Sequence, residues 1–320
     1  MKAIKVNEFG GPEVMKLEEV ERPVPQADEI LIKMYASGVN PADYVVRQGG
    51  NEILKPFLKL PLGLGLDGAG EIQEMGSDVT GFKKGDKVYG IPNFLSGTYA
   101  EFIAAKATQF AIMPNNVSFN KAGAIPSCAL MAWNGMDLGN VSACQRVLIH
   151  GAAGGIGSLA LQFAKAKGAY VIGTASAHNF DLLKQLGADE VIDYRDEHFA
   201  GLLQDLDVVF DASPVFNEDA RMIMAVALKG GGRFVSVQLP HPFSEEFLSI
   251  LAKKHGEAKM IRRELDVAQS LTDIAKLIEA GKVSVVISKI YPMEKVAEAH
   301  SELETKHVRG KIVLEIRKEN

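Results

Sequence analysis

Cysteine is scarce in this chain: 320 residues contain only Cys128 and Cys144. Two cysteines exclude a disulfide scaffold and any four-cysteine structural zinc site, and they fit a reducing, cytoplasmic setting. Long apolar runs are missing too. Met222 to Leu228 is bounded by Arg221 and Lys229, Cys128 to Trp133 is shorter still, and a membrane-spanning helix needs ~20 such residues. The opening Met1-Lys2-Ala3-Ile4-Lys5-Val6 has no apolar leader, so no secretory signal is expected. Basic charge is not in surplus. Lys+Arg is 35 against Asp+Glu 40, a net charge of -5, and no basic block stands out, which argues against a nucleic-acid partner. The seven histidines are scattered, and none forms the paired helical zinc pattern around a glutamate.

Hydrophobic residues, by contrast, make up 47% of the chain and charged residues 23%, enough to bury real cores. The length suggests about two domains. Early segments alternate in the manner of strands: Ala3 to Val6, Glu29 to Tyr35, Gly70 to Met75, Lys87 to Tyr89 and Thr98 to Ala104. No crossover helices of normal length separate them, so an antiparallel barrel or sandwich is expected first. Ser118 then suits a helix N-cap before an apolar helical stretch, Ala122 to Met136, that Pro126 should break or kink.

From Gln145 the pattern becomes strand–helix alternation. Strands are expected at Arg146–His150, Tyr170–Thr174, Glu190–Tyr194, Val208–Ala212 and Arg233–Gln238, with helices between them. Repeated units of this length imply a doubly wound parallel sheet, making the chain α/β in class. After Lys254 the alternation weakens. A helix over Leu265–Ala280, a strand over Val285–Ile290, a helix over Glu294–Glu304 and a strand over Lys311–Ile316 close the chain.

The strongest chemical signal is His150-Gly151-Ala152-Ala153-Gly154-Gly155-Ile156-Gly157, which follows an apolar strand and opens an amphipathic helix. That context suits a dinucleotide. Gly154 would admit a pyrophosphate, Gly157 would let helix and strand pack closely, and the helix N-terminus offers N–H groups to phosphate. Ala152 stands where the usual first glycine would be, so the pattern is a variant. About 20 residues further on, an NAD site places an acid for the ribose. Here Thr174-Ala175-Ser176-Ala177-His178-Asn179 has none, while Ser176, His178 and Asn179 can donate hydrogen bonds. The turn therefore favours NADP(H) over NAD(H). The same residues also suit the start of a helix, with Asn179 as its cap.

Seven motifs now occur in order: Val39-Asn40-Pro41-Ala42-Asp43, Gly65-Leu66-Asp67-Gly68-Ala69-Gly70, Gly85-Asp86-Lys87-Val88, Gly97-Thr98-Tyr99-Ala100-Glu101, the glycine turn, Leu186-Gly187-Ala188-Asp189 and Arg309-Gly310-Lys311-Ile312-Val313-Leu314. Together they resemble the zinc-independent medium-chain dehydrogenases/reductases, in the NADPH:quinone oxidoreductase (zeta-crystallin-like) branch. The resemblance implies a GroES-like β-rich catalytic domain in residues 1–117, a Rossmann NADP(H)-binding domain in 118–256 and a return to the catalytic domain in 257–320. It also implies a homodimer joined through the Rossmann domains, with Arg233–Gln238 near the joining edge.

Zinc relatives carry a Cys early and a His-Glu pair later. The matching segments here, Ser37 to Asp43 and Gly65 to Gly68, hold neither Cys nor His, and Pro92 to Ser96 is too short and cysteine-free for a structural-zinc lobe. One carboxylate, Asp67, cannot make a catalytic zinc site.

The resemblance assigns catalytic positions to Asn40, Asp43 and Tyr44. Asn40 would donate to a carbonyl oxygen as it becomes negative, or else simply cap the turn before Pro41. Asp43 would orient the loop or pair with Arg47, and Tyr44 would donate a proton or line the pocket. The family's usual threonine is replaced by Met131. Tyr194 matches a residue near the 2′-phosphate, His178 stands in for a missing lysine, and Val237 and Gln238 fall near the nicotinamide.

The implied reaction is hydride transfer from NADPH to a quinone, or to the β-carbon of an enal or enone. A non-enzymatic NADPH-binding protein and a zinc alcohol dehydrogenase are the other classes in view.

Overall fold

The computed structural model describes residues 1–52, 54–92, 96–261 and 266–319. Three residues of the cysteine-free Pro92–Ser96 segment, and Leu265 at the head of an expected helix, lie outside that set. In chain order the first elements are β1 (Lys2–Val6), β2 (Met15–Glu19), β3 (Glu29–Val39), α1 (Pro41–Arg47), β4 (Leu62–Gly63) and β5 (Gly68–Met75). Next come β6 (Lys87–Gly90), β7 (Phe102–Lys106), β8 (Phe110–Ile112) and α2 (Phe119–Gly123). The middle of the chain holds α3 (Pro126–Leu138), β9 (Arg146–His150), α4 (Gly155–Ala166), β10 (Tyr170–Ala175), α5 (Phe180–Gln185), β11 (Glu190–Asp193) and α6 (Phe199–Leu202). It continues through β12 (Leu206–Asp211), α7 (Glu218–Ala227), β13 (Leu228–Ser236), α8 (Glu245–Lys253) and β14 (Glu257–Met260). The last elements are α9 (Val267–Glu279), β15 (Ile287–Pro292), α10 (Val296–Glu304) and β16 (Lys311–Glu315).

Two compact units result. The first comprises residues 1–127, 266–281 and 287–320, and the second comprises 128–265 and 282–286. Both divisions differ from the 117/118 and 256/257 boundaries that the resemblance implies. The short helix α2, capped by Ser118 accepting from the Lys121 N–H at 3.3 Å, stays with the first unit because Phe119 stacks on Tyr35 of β3, with ring centroids 4.1 Å apart. Pro126 does break the helical stretch, but it starts α3 rather than kinking one long helix. Its fixed φ suits a first helical position.

In the first unit, β3 is the spine. It pairs antiparallel with β5, β7 and β16. β16 adds β15 on its other side, and β5 continues to β6 and β8. A smaller sheet runs β2-β1-β4. Alternation along β3 buries Ile30, Ile32 and Met34 against Ile72, Val88 and Phe110. The β16 pairing matters for function, since it sets Ile312 opposite Val39 and so brings Lys311 to the end of β3.

The second unit has one parallel sheet in the order β11-β10-β9-β12-β13-β14, with strand directions set by crossover helices. Leu148, Ile172, Val209 and Phe234 fill its core against α7 and α8. The order reverses at β9, where chain connections leave to both sides, and such switch points hold ligands at the carboxyl ends of the strands. Strand β14 and helix α8 were not anticipated. The strand Glu257-Ala258-Lys259-Met260 is too polar to read as buried sheet, and it forms the sheet edge where β13 was expected to lie close by.

Candidate functional site

The glycine turn sits at the switch point. Gly151 adopts φ +76, and a Cβ there would come within 2.8 Å of Ser213 Cα, so only glycine fits. Gly157 is tighter still, since its Cβ would meet the Gly151 carbonyl oxygen at 2.2 Å. Gly154 is different. A Cβ on it would find only the Gly151 oxygen, at 3.5 Å, so the space above it is open. Gly154 is the N-cap of α4 and supplies no side-chain acceptor. The N–H groups of Gly155, Ile156 and Gly157 therefore lack intrahelical partners and stay available to an anion. Ala152 is fully buried, its N–H donating to the Thr174 carbonyl at 2.9 Å. Its methyl packs toward Gly173 on β10, and that glycine makes room for the alanine in the variant motif.

Around this turn the strand ends carry polar groups. His150 is buried, its Nδ1 2.8 Å from Thr174 Oγ1, and burial pushes its pKa down, so the ring is neutral. Asp211 accepts from the Ser236 hydroxyl at 3.1 Å. Gln238 turns its amide onto the Ser213 carbonyl, at 2.6 Å. Val237 donates its N–H to the Asp211 carbonyl at 3.1 Å.

At the turn after β10, Ser176 precedes a 3-10 turn, and Asn179 places its amide toward Ser176 Oγ at 3.5 Å and His178 Nε2 at 3.2 Å. Asn179 does not cap α5 through its side chain. Accepting at Nε2 leaves His178 a hydrogen at Nδ1 to donate. The turn itself, Thr174 to Asn179, carries no acid, yet the structure supplies one. Asp193, at the end of neighbouring β11, accepts from the Ala177 N–H at 3.2 Å. Arg195 covers that carboxylate bidentately, Nε to Oδ1 at 3.0 Å and Nη2 to Oδ2 at 2.7 Å. These bonds, above all those from Arg195, lower the Asp193 pKa to about 2. Tyr194, between the two, is 45% exposed.

In the first unit Asn40 and Asp43, two of the three residues assigned to catalysis, belong to a buried polar cluster. Asn40 precedes α1, and its backbone N–H donates to Asp43 Oδ2 at 2.8 Å. Its side chain is engaged at both ends: Nδ2 donates to Asp67 Oδ1 at 2.8 Å, and Oδ1 accepts from Lys311 Nζ at 2.6 Å. Asn40 is only 3% exposed. The amide expected to face a carbonyl oxygen is thus turned inward. Asp67 also accepts from the Ser127 N–H at 2.8 Å, and Lys311 donates to the Val39 carbonyl at 3.0 Å.

Asp43 does not pair with Arg47. Instead it accepts from the Tyr99 hydroxyl at 2.8 Å. Arg47, fully buried, bonds Glu304 at 2.5 Å and His300 Nδ1 at 3.1 Å. A guanidinium only donates, so Nδ1 accepts and the His300 hydrogen lies on Nε2, 3.3 Å from Tyr99 Oη. The result is a directed chain, Arg47 to His300 to Tyr99 to Asp43. Burial, with Arg47 beside it, drops the His300 pKa to about 3 and keeps the ring neutral. Burial raises Asp43 to about 7 against the lowering pull of Tyr99 and the Asn40 N–H. Tyr44 is half-buried, and burial together with Glu304 raises its pKa, so its hydroxyl keeps its proton at neutral pH.

The residues missed from sequence alone are Arg195 and Asp193 in one unit and the Arg47–His300–Tyr99 chain in the other. The first pair had a readable signal, opposite charges two residues apart at a strand end. The second joins positions as many as 253 residues apart and had no local signal.

Known proteins agree with this architecture. The model described as alcohol dehydrogenase GroES-like domain matches residues 26–115, and that described as zinc-binding dehydrogenase matches residues 186–314. The quinone oxidoreductase of Sus scrofa is 33% identical, over 98% of this chain and 97% of its own. The chain belongs to the quinone oxidoreductase branch of the medium-chain dehydrogenases/reductases. It is an oxidoreductase with the two-domain fold of that family. The structure of the quinone oxidoreductase from Coxiella burnetii superposes with a TM-score of 0.88 at 36% identity, covering 99% of each chain. The chloroplastic NADPH-dependent alkenal/one oxidoreductase of Arabidopsis thaliana is 34% identical, over 98% of this chain and 79% of its own. One matched family carries zinc in its description, yet among the described residues no three His, Cys, Asp or Glu side chains gather as metal ligands.

Proposed function

We propose that this protein is a zinc-independent, NADPH-dependent reductase of quinones or of closely related conjugated carbonyls. The observation that carries the reading is the open face of Gly154 at the switch point, beside the first N–H groups of α4, which have no intrahelical partner. When bound, NADPH supplies the hydride. Gly154, Gly155, Ile156 and Gly157 hold the pyrophosphate, with Ala152 setting the turn beneath it. Ser176, His178 and Tyr194 would hold the adenosine ribose and its 2′-phosphate. Val237 and Gln238 lie on the nicotinamide side of the strand ends.

Zinc independence is supported by what fills the segments where zinc relatives carry ligands. Asn40 and Asp67 are tied to each other, and the Lys311 ammonium lies on Asn40 as an internal cation. Asn40 and Asp43 act in this reading as positioning residues that fix the start of α1. In this reading Tyr44, on that helix, supplies the proton that the α-carbon of an enal or enone, or an oxygen of a hydroquinone, takes up once hydride has arrived. Among the described residues β14 ends the sheet, and this supports a homodimer, because an unpaired edge invites strand addition from a second copy. No helix of the described residues is long and apolar enough to cross a membrane, and both cysteines are thiols, which supports a cytoplasmic setting.

Quinone and enone are separated by one experiment. Purified protein is given NADPH with a naphthoquinone, or with an aliphatic 2-enal, and loss of dihydronicotinamide absorbance is followed. Acceptor-dependent oxidation with the quinone faster supports the reading. Faster turnover of the enal shifts the substrate to the activated double bond, and no acceptor-dependent oxidation with any of them contradicts enzymatic function.

A further inference from the structure

The turn after β10 holds a charge arrangement that the reading above does not use. A carboxylate at this place ordinarily accepts from the ribose hydroxyls of NAD and repels a 2′-phosphate. Asp193 puts a carboxylate there from the neighbouring strand, bonded to the Ala177 N–H. Left bare, it would favour NADH. It is not bare: Arg195, two residues on, spends Nε and Nη2 on it. The fork still leaves Nη1 unused, on a side chain that is 57% exposed. Arginine is also the side chain best suited to a phosphate, because its fixed fork matches the phosphate oxygens. The stretch from Thr174 to Phe180 holds no lysine or arginine and so supplies no cation of its own.

We propose that Arg195 is the specificity-determining residue for the 2′-phosphate, cancelling the Asp193 carboxylate and offering its remaining N–H groups to the phosphate. The inference rests on the NADPH reading and names the residue that decides it. Asp193 then has two roles. It anchors the guanidinium at the turn, and it penalises phosphate whenever the guanidinium is missing. The charge sum at this turn is the selector, with Ser176 and His178 adding neutral donors.

The test is calorimetric titration of NADPH and NADH, without acceptor, into the parent, Arg195→Ala and the Asp193→Asn/Arg195→Ala double variant, each at low and high salt. Thermal melts check folding, which the exposed position should leave intact. The parent should bind NADPH more tightly than NADH, with the stronger salt dependence on NADPH. Arg195→Ala should weaken NADPH at least tenfold, leave NADH unchanged or tighter, and remove most of the extra salt dependence. The double variant should recover part of the NADPH affinity, since the repelling carboxylate is gone. A parent that prefers NADPH together with an Arg195→Ala variant that keeps the parental NADPH:NADH ratio overturns the role of Arg195 alone. A parent that binds NADPH no better than NADH overturns the cofactor reading and this inference together.

Discussion

Lys311 donates to Asn40 Oδ1 at 2.6 Å, joining the last strand to the residue that starts α1 across 271 residues of sequence. Asn40 in turn donates to Asp67. The neutral amide thus lies between a buried cation and a buried carboxylate.

Replacing that amide should therefore cost stability first. Asn40→Ala leaves the Lys311 ammonium and Asp67 each short of a partner, a loss of roughly 2–4 kcal/mol. Denaturant melts should show it, with the NADPH dissociation constant nearly unchanged. A stable Asn40→Ala protein with impaired turnover would restore the amide as a direct donor to substrate.

Metal content follows from the same cluster. Protein purified without added zinc should carry far less than one ion per chain, and chelator should leave acceptor-dependent NADPH oxidation intact. Stoichiometric zinc, lost together with activity, would contradict the reading.

Asp43 should leave a signature in stability against pH. Its folded pKa, about 7, lies above the ordinary 3.8, so the folded state holds the proton more tightly. Stability from this group therefore falls as pH rises from about 4 to about 7 and is flat above. His300 has the opposite sign, its folded pKa of about 3 lying below 6.5, and adds stability as pH rises through that window. His300 is common to parent and variant, so the difference isolates Asp43. Asp43→Asn should cost most near pH 5 and least near pH 8; a pH-independent difference in melting temperature would contradict the assignment.

Two glycines should separate folding from binding. Gly157→Ala forces a methyl against the Gly151 carbonyl, where its Cβ would lie at 2.2 Å, and should cost about 3 kcal/mol or more. Gly154→Ala meets no such obstacle and has φ -77, which alanine accepts. It should change stability by about 1 kcal/mol at most while weakening NADPH roughly tenfold, about 1.4 kcal/mol. Equal effects of the two on melting temperature would remove Gly154 from the phosphate site.

The parallel sheet was legible because β9, β10 and β12 each carry three consecutive apolar residues, Val147 to Ile149, Tyr170 to Ile172 and Val208 to Phe210, and because the glycine turn after β9 has a backbone reason. β14 was not, because its polar residues lie on an edge where one side faces solvent. The glycine turn was legible for the same local reason, down to Ala152. The acid of the cofactor turn was not, because register between β10 and β11, rather than spacing along the chain, sets Asp193 beside Ala175. Asn40 was found by motif, but its orientation depends on Lys311, which reaches it only through the pairing of β16 with β3.

In the proposed reading this chain moves a hydride from NADPH to a conjugated acceptor without a metal. Rapid mixing of chelator-treated, NADPH-loaded protein with a naphthoquinone or a 2-enal tests it most directly. One dihydronicotinamide absorbance per bound cofactor should be lost in a single turnover, at a rate unchanged by added zinc. Bound NADPH that stays reduced in the presence of every acceptor, or that reacts only after zinc is restored, would contradict it.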